Sequence, residues 1–181
     1  MNRITIIKRG ELQTSNWSGG KTTEYFIYPK GANYASRSFT FRISSALIEE
    51  VPSVFTNFKG FRRYLVMLDN TLDVLHQEKR KKFAKGEIFQ FDSSDRVVSY
   101  SKGNDFNLMI GAGVQEEVIV HCGEIESTSS FIFIFSIELS VLEIGDKVYH
   151  LEKNDLLLIE NYDMVKVNVK CFSTCVICFI E

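Results

Sequence analysis

The sequence predicts an all-β fold, a sandwich or a barrel, and three observations carry that prediction. The chain of 181 residues holds 15 Phe and 7 Tyr but only two Pro, and aromatic and β-branched residues suit half-buried strands. Short apolar runs broken by turn residues dominate, with little helical periodicity. The stretch Phe83–Val98 also aligns without gaps with Leu151–Lys166. Each copy has a loop with Lys, a Gly or Asn and an acid, then an apolar strand, an acidic turn and a further strand. Upstream, Leu72-Asp73-Val74-Leu75 echoes Leu139-Ser140-Val141-Leu142, so the pattern reads as two copies of one β unit.

In chain order the expected strands of the first part are Ile4–Ile7, Thr22–Tyr28, Phe39–Ser45, Tyr64–Asp69, Leu72–His76, Glu87–Phe91, Val97–Tyr100 and Asn107–Ile110. The turns between them fall at Asp69-Asn70, Asp92-Ser93-Ser94-Asp95 and Lys102-Gly103-Asn104-Asp105. The second part supplies Val118–His121, Ser130–Phe135, Leu139–Ile144, Lys147–Leu151, Asp155–Ile159, Val165–Val169 and Thr174–Ile180. Gly145-Asp146, between Leu142-Glu143-Ile144 and Lys147-Val148-Tyr149, is a hairpin signal. The basic run Lys79-Arg80-Lys81-Lys82 reads as a solvated hairpin tip.

Hydrophobic residues make up 45% and charged residues 24%, with a net charge of -2. That mixture excludes a disordered chain and offers no electrostatic case for nucleic acid. No apolar run reaches membrane-spanning length, so no membrane partner is expected. The apolar run before Lys8 is too short for a signal peptide, and the expected location is cytoplasmic. Cys122, Cys171, Cys175 and Cys178 are then expected as free thiols. The last three, in Cys171-Phe-Ser-Thr-Cys175-Val-Ile-Cys178, read either as a metal or redox cluster or as buried thiols of a terminal strand. The absence of a second ligand pair favours the buried thiols.

The polar residues of the first part share faces. Gly19-Gly20 forms a loop that can take positive φ and bring backbone N–H groups near a ligand, and Trp17 beside it offers apolar area and one N–H donor. Side chains two apart on a strand point the same way. Thr22 therefore goes with Glu24, Arg42 with Ser44, and Asp105 with Asn107 and Met109, while Arg63 leads into Tyr64–Asp69. An acid, an amide and a thioether on one face suit a pocket wall better than a core. The bland alternatives are a plugging Trp17, a simple Gly turn, Met109 as filler, and a structural ion pair of Arg42 with Glu24 or Asp105.

Trp17-Ser18-Gly19-Gly20-Lys21-Thr22-Thr23-Glu24, Phe41-Arg42-Ile43-Ser44, Phe55, Phe58-Lys59-Gly60-Phe61-Arg62-Arg63 and Asp105-Phe106-Asn107-Leu108-Met109 occur in the order of the landmarks of the HutD/Ves family, which this chain resembles. The match spans roughly Trp17 to Gly113, and the last third matches by pattern only. Ser18 stands where the family has Asn, and Lys21 where it has Gly. The resemblance implies an all-β bicupin, two jelly-roll-like β-barrels packed in one compact unit with few short helices. Its approximate halves are 1–115 and 116–181, with strands exchanged between them. It also implies a cytoplasmic binder of a small carboxylate such as formylglutamate or urocanate, tied to histidine utilisation or to stress responses. Trp17, Gly19, Gly20, Thr22, Glu24, Arg42, Ser44, Arg63, Asp105, Asn107 and Met109 are the expected ligand contacts. Arg42 and Arg63 would hold the carboxylate, Asp105 and Asn107 the polar end, and Trp17 and Met109 the apolar wall.

No metal, other cofactor or catalytic residue is expected. Metal-dependent cupins carry His-x-His with a later Glu and His, whereas His76, His121 and His150 are isolated here. Arg62-Arg63 stands at the first such position, and guanidinium favours carboxylate over cations. Two other readings stay open. A metal-free isomerase or hydrolase would use His76 as base. An interaction module would use Phe131-Ile132-Phe133-Ile134-Phe135 as a homodimer face, unless that strand is fully buried.

Overall fold

The computed structural model describes residues 2–181, and its regular elements among them are strands apart from one 3-10 turn at Arg9–Glu11. In order they are β1 (Arg3–Ile7), β2 (Thr14–Trp17), β3 (Gly20–Tyr28), β4 (Phe41–Ile48), β5 (Ser53–Val54), β6 (Phe61–Met67), β7 (Leu72–His76), β8 (Lys79–Phe83) and β9 (Ile88–Asp92). There follow β10 (Val97–Ser99), β11 (Gly103–Gly111), β12 (Glu116–Ser127), β13 (Phe131–Ser136), β14 (Ser140–Ile144), β15 (Lys147–Leu151), β16 (Leu156–Glu160) and β17 (Val167–Ile180). They form two compact units, Leu12–Gly113 and a second made of Val114–Glu181 with the residues up to Glu11.

The Leu12–Gly113 unit has a six-stranded sheet, ordered β2-β3-β4-β11-β6-β9, and a four-stranded sheet, ordered β5-β10-β7-β8. Leu65, Met67 and Phe89 from the first sheet pack with Leu72, Val74 and Val97 from the second. These inward residues alternate with outward ones, as a two-sheet core requires. Burying each large apolar side chain contributes about 1.5–3 kcal/mol against the entropy of ordering.

The other unit is a seven-stranded sheet, β1-β16-β13-β17-β14-β15 with β12 also paired to β17. Its interior is filled by aliphatic side chains, among them Ile132, Ile134, Leu157, Ile159 and Ile177. Phe131–Phe135 lies between β16 and β17, with Ile132 through Phe135 fully buried. The strand is therefore core, and the homodimer reading loses its motif.

Several elements differ from expectation. β2, β5 and β8 were not expected; β2 and β8 are polar and lie at sheet edges, where alternation of hydrophobicity is weakest. The basic run is not a hairpin tip. Gln77 and Glu78, at φ 48° and 63°, make the turn, and Lys79–Lys82 is the start of edge strand β8. Charges there discourage edge-to-edge pairing. Val165–Val169 and Thr174–Ile180 are one strand, β17. A bulge opposite Cys122 shifts its register between Cys175 and Cys171, and that irregularity breaks the apolar pattern. The hairpin turn does fall on Gly145-Asp146, with Gly145 at φ 58°. A constant 68-residue offset separates Leu72 from Ser140, Lys79 from Lys147 and Ile88 from Leu156, the first residues of paired elements. The repeat is thus structural, with Leu72 matched to Ser140 and not to Leu139.

Candidate functional site: a polar cavity in the Leu12–Gly113 unit

Strand register assembles the site. Across β4, β11 and β6, Arg42 lies opposite Met109 and Met109 opposite Arg63. The next row is Glu24, Ser44, Asn107 and Leu65, and the one after is Thr22, Ala46, Asp105 and Met67. Directly opposed residues share a face. The inner face of the six-stranded sheet is therefore apolar towards β9 and polar towards β3. The polar part lines a cavity of about 880 Å³, within the usual range for small-molecule sites.

Ten of the eleven sequence-predicted residues line it: Trp17, Gly19, Thr22, Glu24, Arg42, Ser44, Arg63, Asp105, Asn107 and Met109. Gly20 does not. A Cβ there would stand 1.9 Å from the Leu47 carbonyl oxygen, and its φ is 154°, so Gly20 lets β3 close onto β4. The two-residue turn is Ser18-Gly19, because Trp17 pairs with Gly20. The Trp17 ring covers Gly19, where a Cβ would meet it at 2.0 Å. Trp17 Nε1 donates to Thr22 Oγ1 at 3.1 Å, and the ring is 40% exposed at the mouth. The Gly19 carbonyl accepts from Glu49 N and Glu50 N, so this loop faces β4 with an acceptor.

The two guanidiniums differ. Arg42 Nε donates to Glu24 Oε2 at 2.6 Å and Nη1 to Ser44 Oγ at 3.1 Å, while Cζ sits 4.5 Å over the Tyr34 ring. The Arg42–Glu24 ion pair of the bland alternative is present. Arg63 is 4% exposed, yet its Nε has no partner among the described residues. Burial pushes its guanidinium below the ordinary range, opposed by the Tyr34 hydroxyl and assisted by repulsion from Arg42. Its Cζ lies about 6 Å from the Phe55 and Phe58 rings. Asn107 Oδ1 is also buried without a partner among the described residues. Both residues line the cavity, and a buried polar atom without a partner is rare enough in native proteins to call for an explanation.

Asp105 is 1% exposed, and its Oδ1 accepts from Ala46 N at 3.1 Å. Burial raises its carboxyl to about 7, with the Ala46 N–H and Arg63 opposing and Asp69 adding to the rise. Near neutral pH it therefore offers either an O–H donor or a carboxylate.

Sequence reasoning missed Tyr34, and it named Phe55 only as a landmark. Tyr34 lies on the loop between β3 and β4, packs on Phe58 at 4.8 Å between ring centroids, and lines the cavity. The available signal was an aromatic in Gly31-Ala32-Asn33-Tyr34-Ala35-Ser36, between the strands carrying Glu24 and Arg42. His76, the candidate base, does not line this cavity; it pairs with Asp95 at 2.8 Å, an acid that sequence did not connect to it. Cys171, Cys175 and Cys178 are buried along β17, and Cys122 is exposed. Among the described residues no group of three or more His, Cys, Asp or Glu is placed to hold a metal. The cavity wall carries carboxylates and guanidiniums but no imidazole or thiol, so it lacks the ligands that suit zinc, copper, nickel or non-haem iron.

Two sheets enclosing a polar cavity on the inner face of the larger one make a cupin-like fold. Solved structures agree. The chain is similar to HutD from Pseudomonas fluorescens SBW25, with a TM-score of 0.85 and 18% identity over 99% of this chain and 98% of that one. A conserved protein of unknown function from Pseudomonas aeruginosa PAO1 gives 0.80 and 18% over 99% and 98%. A cupin 2 conserved barrel domain protein from Leptotrichia buccalis gives 0.54 and 7% over 98% and 96%. The HutD family model matches residues 9–178, and the chain belongs to the HutD family. No curated protein sequence matches it.

Proposed function

We propose that this chain is a metal-free, non-catalytic receptor for a small carboxylate, acting as a sensor or regulator in histidine utilisation or a stress response. The observation that carries the reading is the buried Arg63, which lines the same cavity as Arg42 and whose guanidinium Nε is unpartnered among the described residues. Charge-assisted bonds from a planar guanidinium suit a carboxylate. Asn107 Oδ1 would accept from a ligand N–H or O–H. Asp105 would donate or accept according to pH. Trp17, Tyr34 and Met109 supply apolar wall for the ligand's carbon frame.

The test is a thermal-shift screen with histidine-pathway acids and other small carboxylates, with and without chelator. A ligand that binds only the folded state raises Tm, by about 2.7 kcal/mol of stabilisation at 100 times Kd. One acid raising Tm regardless of chelator, with the rise lost in Arg63→Ala and Arg42→Ala, supports the reading. No shift with any acid, together with a fall in Tm on adding chelator, overturns it.

A further inference from the structure

A second chemical cluster lies outside the cavity, at the β7–β8 hairpin. The register pairs His76 with Lys79 and Val74 with Lys81, so Lys79 and Lys81 point to the His76 face. His76 is 7% exposed, with its ring edge-on to Phe89 at 5.4 Å. Its Nε2 lies 2.8 Å from Asp95 Oδ2, and the other Asp95 oxygen accepts from Gln77 Nε2 at 3.2 Å. The hydrogen bond from His76 holds the Asp95 carboxyl below its ordinary range. Asp95 is then an acceptor only, and the imidazole must carry its proton on Nε2. His76 Nδ1 stands 3.1 Å from Lys81 Nζ. A hydrogen bond between two nitrogens needs a lone pair on one of them, so the contact holds a single shared proton. Carboxylate, imidazole and amine are thus aligned, with the exposed Lys81 as the terminal group.

We propose that Lys81 is an activated amine, a modification site for small activated acyl groups such as acyl phosphates. The free-amine form of Lys81 forms a C–N bond from its Nζ lone pair to the acyl carbon, and the carbonyl π pair moves onto oxygen. His76 Nδ1 takes the proton that Nζ loses as this bond forms, and Asp95 faces the resulting imidazolium. The carbonyl re-forms, the C–O bond to phosphate breaks, and the imidazolium returns its proton to the departing phosphate. The product is an amide on Lys81 with its positive charge removed, and no oxidant or reductant is involved. Lys79 and Lys82 on the same strand are internal controls, because among the described residues neither has a hydrogen bond to an imidazole; Lys82 Nζ is 3.8 Å from Asp73.

The experiment incubates the full chain with acetyl phosphate at neutral pH and follows acetylation of each lysine by peptide mass spectrometry. A positioned general base is worth 10²–10⁴ in rate, so Lys81 is expected to react at least roughly tenfold faster than Lys79 or Lys82. The preference should fall to the level of its neighbours in His76→Gln, fall partly in Asp95→Asn, and vanish for the wild-type chain in urea. Should His76→Gln fail to fold, Asp95→Asn and the urea comparison still decide. Equal rates for Lys81 and Lys79 in the folded wild-type chain overturn the proposal, as does an unchanged preference in urea.

Discussion

Asp105→Asn separates a buried neutral acid from a buried ion pair. Asp105 is 1% exposed, and burial raises its carboxyl from 3.8 to about 7. The unfolded chain loses this proton near the lower value while the folded chain keeps it to the upper one. The stabilising proton is therefore fully effective below about pH 4 and progressively lost as pH rises to about 7. Each pH unit in that window costs ~1.4 kcal/mol, about 4 kcal/mol in all. Asparagine copies the protonated acid in shape and keeps an acceptor for Ala46 N, but does not titrate. The variant should match the wild type near pH 4.5 and exceed it at pH 8. At ~2–4 °C per kcal/mol for a chain of this size, the gap at pH 8 is on the order of 10 °C. The assay is the Tm difference between the two proteins at each pH, which cancels every other titrating group. A difference that is the same at both pH values, or a variant less stable at pH 8, refutes the reasoning. It would mean that Asp105 is ionised throughout and held by Arg63.

Three further outcomes follow from the geometry. Gly20→Ala puts a Cβ 1.9 Å from the Leu47 carbonyl at a backbone angle that suits glycine, so it should cost on the order of 2 kcal/mol or more in urea unfolding. Arg63→Met removes the buried guanidinium that faces Tyr34 and Asp105; in thermal melts any carboxylate-induced Tm shift should disappear, and stability should fall more at pH 8, where Asp105 is ionised, than at pH 5. Asn161 is fully buried, donates to the Thr128, Ser129 and Val165 carbonyls and accepts from Val165 N. Asn161→Ala should therefore lose about 2–4 kcal/mol by calorimetry.

The strands and the shared faces of the site were legible because both depend on a two-residue period. Arg42 with Ser44, and Asp105 with Asn107 and Met109, follow from alternation alone. Pairing across strands does not. That Met109 sits between Arg42 and Arg63 is a matter of register, which one strand's sequence leaves unspecified. Tyr34 escaped because a loop has no period to read. The Asp95–His76–Lys81 alignment escaped because it joins a strand, its hairpin partner and a turn nineteen positions from His76. Gly19-Gly20 was read as one loop, whereas the neighbours of each glycine, the Trp17 ring and the Leu47 carbonyl, divide their roles.

The internal repeat explains why the cavity belongs to the Leu12–Gly113 unit. In that unit Phe91 pairs with Arg63 and Phe89 with Leu65; in the other, Ile159 pairs with Ile132 and Leu157 with Ile134. Phe91 and Ile159 are related by the 68-residue offset, so Ile132 occupies the place of Arg63. Continuing across the sheet, β17 corresponds to β11. Phe179 opposes Ile132 as Met109 opposes Arg63, Ile177 stands for Asn107, and Cys175 for Asp105. These four replacements are apolar or a thiol and are buried in one hydrophobic cluster, whereas Arg42 is matched across β17 by the exposed Glu117. Two copies of one β unit thus differ at the positions that decide whether the interior is a closed core or a polar cavity. A buried guanidinium, amide and acid are costly without a partner, and the second unit shows that the fold closes on aliphatic side chains at the same places. Retaining the polar set in the first unit runs against stability, which is the direction expected of residues kept for binding. The terminal cysteines fall under the same argument: Cys175 fills the position of Asp105 as a small hydrophobe.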